Sequence, residues 1–254
     1  MFFCVKKRTL VSLLLLVVMI SLVITGACLV NTSLVSSATV KKLPIYSVDK
    51  GDEKVVALTF DAAWGADKTQ GIIDILTANG IKATFFLVGF WVDKFPDMVK
   101  KIDEVGFEIG NHSHNHLKMS TLSEESIKGE INYVSQGVEK LTGKKCKVFR
   151  APFGDYNDSL IGTINSMNIK PVQWDVDSLD WKGISAKEIS NRVCSKVKSG
   201  SIVLFHNNSE HILEALPVVI NSLKNDGYKF STVSELIYQD NYYIDNNGVQ
   251  HLKS

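Results

Sequence analysis

The sequence predicts an α/β fold, a distorted (β/α) barrel of about seven strands, preceded by an N-terminal apolar segment. Two observations support the barrel. Short apolar runs alternate with amphipathic stretches from Lys54 onward, which is typical of parallel strands joined by helices. Polar residues follow the ends of successive predicted strands, and in a barrel those ends meet at one rim. We therefore expect one domain, residues 54–240, with its chemistry at that rim.

Composition and charge exclude several classes of function. The 254 residues include 28 Lys and Arg against 27 Asp and Glu, for a formal net charge of +1. No basic block lies outside the extreme N-terminus, so nothing indicates nucleic-acid binding. The chain is not acidic enough to suggest disorder. We predict no protein partner. Cys146 and Cys194 can pair within the domain, although two buried free thiols are favoured over a disulfide.

An apolar segment near the N-terminus predicts the compartment. Basic residues at positions 6–8 precede residues 9–30, an uncharged run rich in Leu, Val and Ile that is long enough to cross a bilayer. The basic flank predicts that this end stays in the cytoplasm and that the domain is exported. A single-pass membrane anchor over residues 1–30 is favoured over a signal peptide cleaved near Ala27, and both are favoured over a lipid anchor at Cys28.

The regular elements follow from the hydrophobic periodicity. We expect a polar linker over residues 31–53 and a peripheral tail over residues 241–254. Strands are predicted at residues 54–60, 83–88, 107–110, 147–150, 170–174 and 201–205. Helices are predicted at residues 68–79, 96–105, 121–142, 159–167, 186–197 and 213–225. Gly80 ends the first of these helices, Pro96 begins the second, and a capping box starting at Thr121 opens the third.

A cluster of histidines is the strongest single feature. Three of the six His residues lie within five positions, at His112, His114 and His116. His112 and His116, four apart beyond a predicted strand, can direct their imidazoles at one point, and imidazole suits Zn²⁺ or a similar ion. The alternative is a solvated polar loop. The cluster lacks a third ligand, a base and an acid, which the rest of the chain must supply.

Further polar residues follow the other predicted strands: Asp61, Arg150, Asp175, Asp177 and His206. Unrelated surface residues would be scattered over both ends of a barrel, so their shared position indicates one site. Asp61 directly follows a buried apolar strand, where a carboxylate is costly unless it is paired.

Five ordered motifs resemble those of the polysaccharide deacetylases, which form carbohydrate esterase family 4, or the NodB-homology enzymes. They are Thr59-Phe60-Asp61, His112-Ser113-x-x-His116, Arg150-x-Pro152-Phe153, Asp177-x-x-Asp180-Trp181 and Leu204-x-His206. The resemblance covers residues 54–237 and implies a NodB-type barrel. Trp64-Gly65 and Trp174-Asp175-Val176-Asp177 resemble the sporulation-associated branch of these proteins.

The resemblance implies a base and a metal site. Asp61 would deprotonate the attacking water, and Arg150 would hold it ionised through a charge-assisted bond. His112 and His116 would bind a divalent metal, Zn²⁺ or Co²⁺, that polarises the acetyl carbonyl. The hydroxyl of Ser113 would steady the histidine loop.

The resemblance also implies an acid and a substrate groove. His206 would protonate the leaving amine, and Asp180 would raise the pKa of His206. Phe153 and Trp181 would line the groove and contact sugar rings, together with Pro152. The backbone N–H of Phe153 would stabilise the tetrahedral oxyanion.

One position departs from the family pattern. Members usually follow the base with a second Asp, the third protein ligand of the metal, and here that position is Ala62. The site could bind metal weakly and still work, use water or another ligand such as Asp67, or have lost catalysis and kept a glycan-binding groove.

The predicted function is therefore a hydrolase that removes N-acetyl groups from a cell-wall glycan, with peptidoglycan as the expected substrate. Retention of Asp61, Arg150, Asp180 and His206 favours an active site. The alternatives are a non-catalytic wall-binding or assembly protein, favoured by Ala62, and an esterase that acts on O-acetyl groups.

Overall fold

The computed structural model describes residues 7–32 and 41–253, in two units that divide at Lys41. The first unit is described as a helix, α1 (Lys7–Thr32). The sequence predicts a membrane-crossing helix within residues 1–30, of which residues 1–6 lie outside the described part. Residues 7–30 of the predicted segment lie within helix α1. However, among residues 7–32 and 41–253, none of the helices combines the length and apolar character that crossing a bilayer requires.

The second unit alternates strands and helices, as predicted. Its strands are β1 (Ser47–Val48), β2 (Val55–Ala62), β3 (Thr84–Leu87), β4 (Glu108–Asn111), β5 (Val148–Phe149), β6 (Lys170–Pro171), β7 (Val176–Asp177), β8 (Ser201–His206), β9 (Lys229–Phe230), β10 (Tyr242–Ile244) and β11 (Val249–Leu252). Its helices are α2 (Thr69–Ala78), α3 (Gly89–Lys94), α4 (Pro96–Glu104), α5 (Glu124–Thr142), α6 (Asp158–Ser166), α7 (Ala186–Cys194), α8 (Ile212–Asn225) and α9 (Val233–Leu236).

One curled sheet organises the domain. Its strand order is β10-β11-β1-β8-β2-β3-β4-β5-β6, with β7 on β8 and β9 on β2. Strands β2 to β8 pair in parallel. Ile45 bridges to Val172 beyond β6, and Ser47 pairs with Ser201 of β8. Residues 45–48 thus contact both β6 and β8, at opposite sides of the curled sheet. The α/β class is confirmed, and the curled sheet is consistent with the predicted distorted (β/α) barrel, although it has 11 strands among the described residues where about seven were predicted.

The packing of the core explains why the sequence of β2 is almost continuously apolar. Every residue of β2 is buried, because helices cover one face of the sheet and the curled interior covers the other. Leu58 and Phe60 belong to a cluster that includes residues of α2, α5 and α8, whereas Ala57 belongs to a separate cluster with Phe86 and Ile202. The ring of Phe60 stacks on those of Phe85 and Phe205, at centroid distances of 5.0 and 5.6 Å.

Both predicted flanking segments contribute to the sheet instead of lying apart. Within the predicted linker, β1 pairs in parallel with β11 from the predicted tail, and β11 pairs with β10. The side chain of Gln250 in β11 is fully buried. Strand pairing therefore ties residues 47–48 and 242–252, which lie in the predicted linker and tail, to the sheet.

One helix, one helix cap and the two cysteines complete the comparison with the predicted elements. Helix α3 was not predicted, since its six residues are too few to show a period. The residue that caps α5 is Ser123, whose hydroxyl accepts the N–H of Ser126, and Thr121 lies in the preceding 3₁₀ turn. Cys146 and Cys194 are both free thiols, as favoured, although Cys194 is only partly buried.

Candidate active site

The carboxyl ends of the parallel strands surround a cleft of about 710 Å³. The predicted site residues that line it are Asp61, His112, His116, Phe153, Asp180, Trp181 and His206. Residues separated by up to 145 positions along the chain, from Asp61 to His206, thus meet at one rim. The predicted convergence is observed.

Asp61, at the end of β2, is held by a buried arginine. Arg150 Nη1 donates to Asp61 Oδ1 at 2.8 Å and to Thr59 Oγ1 at 2.8 Å, and Nη2 donates to the carbonyl of Gln173. Arg150 is fully buried, with its guanidinium 4.2 Å from the centre of the Phe86 ring. Burial alone raises the pKa of Asp61, but the positive charges nearby, first that of Arg150 and then that of protonated His206, outweigh burial and lower the pKa of Asp61 below its ordinary value. The carboxylate therefore stays ionised at neutral pH, as a base requires.

His112 is fixed in one orientation by the main chain. Its Nδ1 lies 2.8 Å from the carbonyl oxygen of Arg150. A carbonyl only accepts, so Nδ1 carries the proton and Nε2 presents its lone pair, 3.5 Å from Asp61 Oδ2. Burial lowers the pKa of His112, which keeps the ring neutral. This is the state in which imidazole can act as a ligand.

The loop after β4 brings His116 beside His112. Ser113 and His116 both have positive φ angles, 66° and 53°, so the loop that carries the two histidines turns at both residues. The Ser113 hydroxyl accepts the N–H of His116 at 3.1 Å, which gives it the predicted steadying role. The two imidazole centroids lie 5.1 Å apart. Burial, with His112 nearby, lowers the pKa of His116 to about 4.

The side chains present do not complete the implied metal site. Ala62 is fully buried and belongs to the apolar cluster of Ile72 and Leu216, so it offers no donor atom. Asp67 is exposed and is not among the described residues that line the cleft. In the part of the chain that the structure describes, no group of three or more His, Cys, Asp and Glu side chains is arranged to hold a metal ion. Of the three protein ligands that the family pattern implies, two are present, the neutral imidazoles of His112 and His116.

His206, at the end of β8, is bound twice by Asp180. Asp180 Oδ1 lies 2.8 Å from His206 Nδ1, and Oδ2 accepts the backbone N–H of His206 at 2.8 Å. Asp180 is fully buried, whereas one third of the His206 side chain is exposed toward the cleft. Burial lowers the pKa of His206, but the hydrogen bond and charge of Asp180 outweigh it and raise the pKa of His206 above its ordinary value. The ring is thereby suited to donate a proton from Nε2.

Two of the three predicted substrate-contacting residues stand at the cleft. Phe153 and Trp181 are 64% and 58% exposed and line it. Pro152 was predicted with them, but it is buried and does not line the cleft. It begins the 3₁₀ turn in which Phe153 takes a φ of 61°, and this turn directs the Phe153 ring outward while the proline ring packs inward.

Several residues of the site were not predicted. Thr59 lies two positions before Asp61. Alternate residues of a strand face the same side, so this spacing could have indicated that Thr59 lies on the same face of β2 as Asp61. Asn111 is fully buried, and its amide donates to Ile131 and Ser135 of α5 while its Oδ1 accepts the N–H of Ser113. These contacts anchor the histidine loop. Trp64 lines the cleft beside His116.

Comparison with known proteins agrees with the motifs. The polysaccharide deacetylase family model matches residues 49–172. A peptidoglycan-N-acetylglucosamine deacetylase of Bacillus cereus is 37% identical over 191 residues, which cover 73% of this chain and 89% of that relative. The uncharacterized protein YlxY of Bacillus subtilis is 34% identical over 194 residues, 76% of this chain, and the match spans 60% of its length.

Solved structures of CE4 family proteins are similar to this chain. A CE4 family pseudoenzyme from Bacillus anthracis gives a TM-score of 0.73 at 34% identity, covering 82% of this chain and 72% of that one. A mutant of this pseudoenzyme with restored enzymatic activity gives a TM-score of 0.74 at 36% identity, covering 77% and 71%. With its motifs, its fold and its sequence relatives in agreement, the chain belongs to the polysaccharide deacetylase family.

Proposed function

We propose that this chain hydrolyses the N-acetyl group of an amino sugar in peptidoglycan, releasing acetate and a free amine. One observation carries the proposal: a base and an acid, each with its orienting partner, face the same cleft. Arg150 stabilises the ionised form of Asp61, and Asp180 stabilises the protonated form of His206. These two pairs have the opposite pKa shifts that the two roles need.

The reaction begins at Asp61. The Oδ2 atom, which is free of Arg150, takes a proton from a water molecule, and the water oxygen attacks the acetyl carbonyl carbon. The carbonyl π electrons move to oxygen, and the backbone N–H of Phe153 donates to the resulting oxyanion. His206 Nε2 then gives its proton to the amide nitrogen as the carbon–nitrogen bond breaks. One proton enters at Asp61 and one leaves from His206. Asp61 therefore releases its proton to solvent, and His206 takes one up from solvent, before the next turnover.

Deacetylases of this family are metal-dependent in general. The incomplete donor set at Ala62 therefore predicts a weak reaction in this chain, because only His112 and His116 would remain to hold Zn²⁺ or Co²⁺.

The test is acetate release from defined substrates. The full chain is incubated with N-acetylated chitooligosaccharides, with muropeptides and with O-acetylated xylan, each with and without added Zn²⁺ or Co²⁺. We expect acetate from an N-acetylated substrate. Acetate from the O-acetylated substrate alone would replace the proposal with an ester hydrolase, and no acetate from any substrate would reject both.

A second function is favoured by a specific observation. Ala62 removes a ligand from the site, and the domain resembles CE4 family pseudoenzymes. The chain would then bind a wall glycan without hydrolysing it. Glycan binding measured by calorimetry, together with no acetate release, would select this function over the first.

Location and timing belong to the same proposal. Peptidoglycan lies outside the cytoplasmic membrane, and the basic residues at positions 6–8, followed by the apolar run, support export of the domain. A role in sporulation is supported by Trp64-Gly65 and by Trp174-Asp175-Val176-Asp177. Localisation of the full-length chain by cell fractionation during growth and sporulation tests both.

A further inference from the structure

The most exposed aromatic side chains of the described domain stand at the cleft. Trp64 and Phe153 are each 64% exposed, and Trp181 is 58% exposed. All three line the cleft. Large apolar side chains that remain open to solvent and cluster at one concave surface are typical of a ligand-binding surface. Phe153 and Trp181 have an expected contact with the reacting sugar, whereas Trp64 has no assigned role.

Trp64 is held in place despite its exposure. Its ring packs against His116 at a centroid distance of 4.8 Å and against Phe90 at 6.3 Å. The next residue, Gly65, has a φ of +67°, and its carbonyl accepts the Nε1–H of Trp91 at 2.7 Å and the amide of Asn207 at 2.9 Å. This turn is rigid, so the indole is presented to the cleft without a large loss of entropy on binding.

The positive φ of Gly65 favours glycine in this turn. A Cβ added to Gly65 would also lie 2.5 Å from the side-chain nitrogen of Asn208, so the Asn208 side chain would have to move. Through Asn207, this turn joins the loop that follows Asp61 to the loop that follows His206. The Trp64 ring therefore has a defined position relative to the reacting groups.

The location of Trp64 indicates which part of a glycan it meets. Trp64 and Phe153 contact the same imidazole, His116, at 4.8 and 4.5 Å. Phe153 adjoins the oxyanion position of the proposed reaction, so the sugar that carries the reacting acetyl group lies over Phe153. A glycan chain that continues past this sugar on the side of His116 would meet the indole. Pyranose rings have apolar C–H faces that pack well on aromatic rings.

We propose that Trp64 forms a second sugar subsite, which stacks on a residue of the glycan chain adjacent to the one being deacetylated. The inference rests on the proposed function for the identity of the ligand, an oligosaccharide of N-acetylated amino sugars. It makes an oligosaccharide, and not a single sugar, the unit that the cleft recognises.

The test compares chain lengths by titration calorimetry. N-acetylglucosamine and its oligomers of two to five sugars are titrated into the full-length wild-type chain, Trp64→Ala and Trp64→Phe. We expect Trp64→Ala to bind the tetramer about tenfold more weakly, a difference of ~1.4 kcal/mol, and to bind the monosaccharide as the wild type does. Trp64→Phe should recover most of the loss. Tyr243→Ala, which removes a 49% exposed aromatic in β10, is the matched control and should bind as the wild type does.

Two results would overturn the inference: unchanged affinity of Trp64→Ala for the tetramer, or an equal loss for monosaccharide and tetramer. Failure of the wild type to bind any oligomer would also overturn it. Acetate release by the wild type is measured separately. If the wild type binds oligomers with the expected dependence on Trp64 but releases no acetate, the hydrolytic function fails and the subsite stands. If it releases acetate with no dependence of affinity on Trp64, the function stands and the subsite fails.

Discussion

Asp61 and His206 occupy paired positions on the neighbouring parallel strands β2 and β8. Side chains at paired positions of a parallel ladder emerge side by side from the sheet. The proposed base and the proposed acid are therefore positioned by backbone hydrogen bonding and not by a flexible loop. Each one is further oriented by a buried partner, Arg150 for Asp61 and Asp180 for His206.

Asp61→Asn should reduce turnover by at least ~100-fold, because an amide cannot take the proton from water. The substitution also leaves the buried Arg150 without its carboxylate, and removing one partner of a buried ion pair costs ~3–5 kcal/mol of stability. Acetate release should be measured well below the melting temperature, with circular dichroism as a check of folding. Asp74→Asn, at an exposed position of α2, is the control and should keep full activity. A folded Asp61→Asn protein with wild-type turnover would remove Asp61 from the base role.

Asp180→Asn should shift the pH profile of kcat/KM. His206 acts as an acid only when protonated, so activity falls as the pH rises through the pKa of His206, which Asp180 raises. With a neutral amide at position 180 that pKa falls, and the alkaline limb should move to lower pH. The acidic limb reports Asp61, whose pKa is lowered, and should stay near its position.

A second His–Asp pair provides the control for this profile. Asp245 lies 3.4 Å from His251 in the β10–β11 hairpin. Asp245→Asn should leave the profile unchanged. An alkaline limb that remains in place in Asp180→Asn would mean that another group donates the proton.

Ala62→Asp should create a metal site at a cost in stability. Without metal the new carboxylate is buried in an apolar cluster, so the melting temperature should fall below that of the wild type. Zn²⁺ should then raise it far more than in the wild type, since a ligand at 100 times its Kd stabilises the folded state by ~2.7 kcal/mol. Ala62→Asn, of similar size but uncharged, is the matched control. Equal Zn²⁺ shifts for the Asp and Asn variants would show that position 62 does not face His112 and His116.

Gln250→Ala should destabilise the whole domain and not only its C-terminal end. The buried amide of Gln250 donates to the carbonyl of Tyr238 at 2.7 Å and accepts the N–H of Tyr238 at 2.8 Å. Leaving these buried groups unpaired costs ~1–3 kcal/mol each. Urea unfolding should show a lower midpoint in one cooperative transition. Gln70→Ala removes an exposed amide that donates to Asp74 on the same helix, and this variant should unfold as the wild type does.

The periodic part of the fold was predictable from the sequence, and the short flanking strands were not. Elements such as β2 and α5 are long enough for their apolar spacing to be clear. By contrast, β1 has two residues, and it is a strand because β11 and β8, about 200 and about 150 positions away, pair with it. A local pattern cannot indicate such a partner.

The site shows the same division. Its acid, base and histidines were predictable because each follows an apolar strand and stands in a motif of the family. The orientation of His112 was not, because it depends on a main-chain carbonyl that has no signature in the sequence. The inward packing of Pro152 was missed for a related reason, since the turn conformation, and not the residue type, decides which ring faces the cleft.

Arg150 acts on the cleft through two chemically separate parts. Its guanidinium binds Asp61, and its peptide oxygen binds His112. Any amino acid at this position supplies the peptide oxygen, whereas only a cation supplies the first contact. A substitution of Arg150 would therefore alter the acidity of the carboxylate, whereas the hydrogen bond that sets the tautomer of the imidazole would be kept wherever the backbone stays in place.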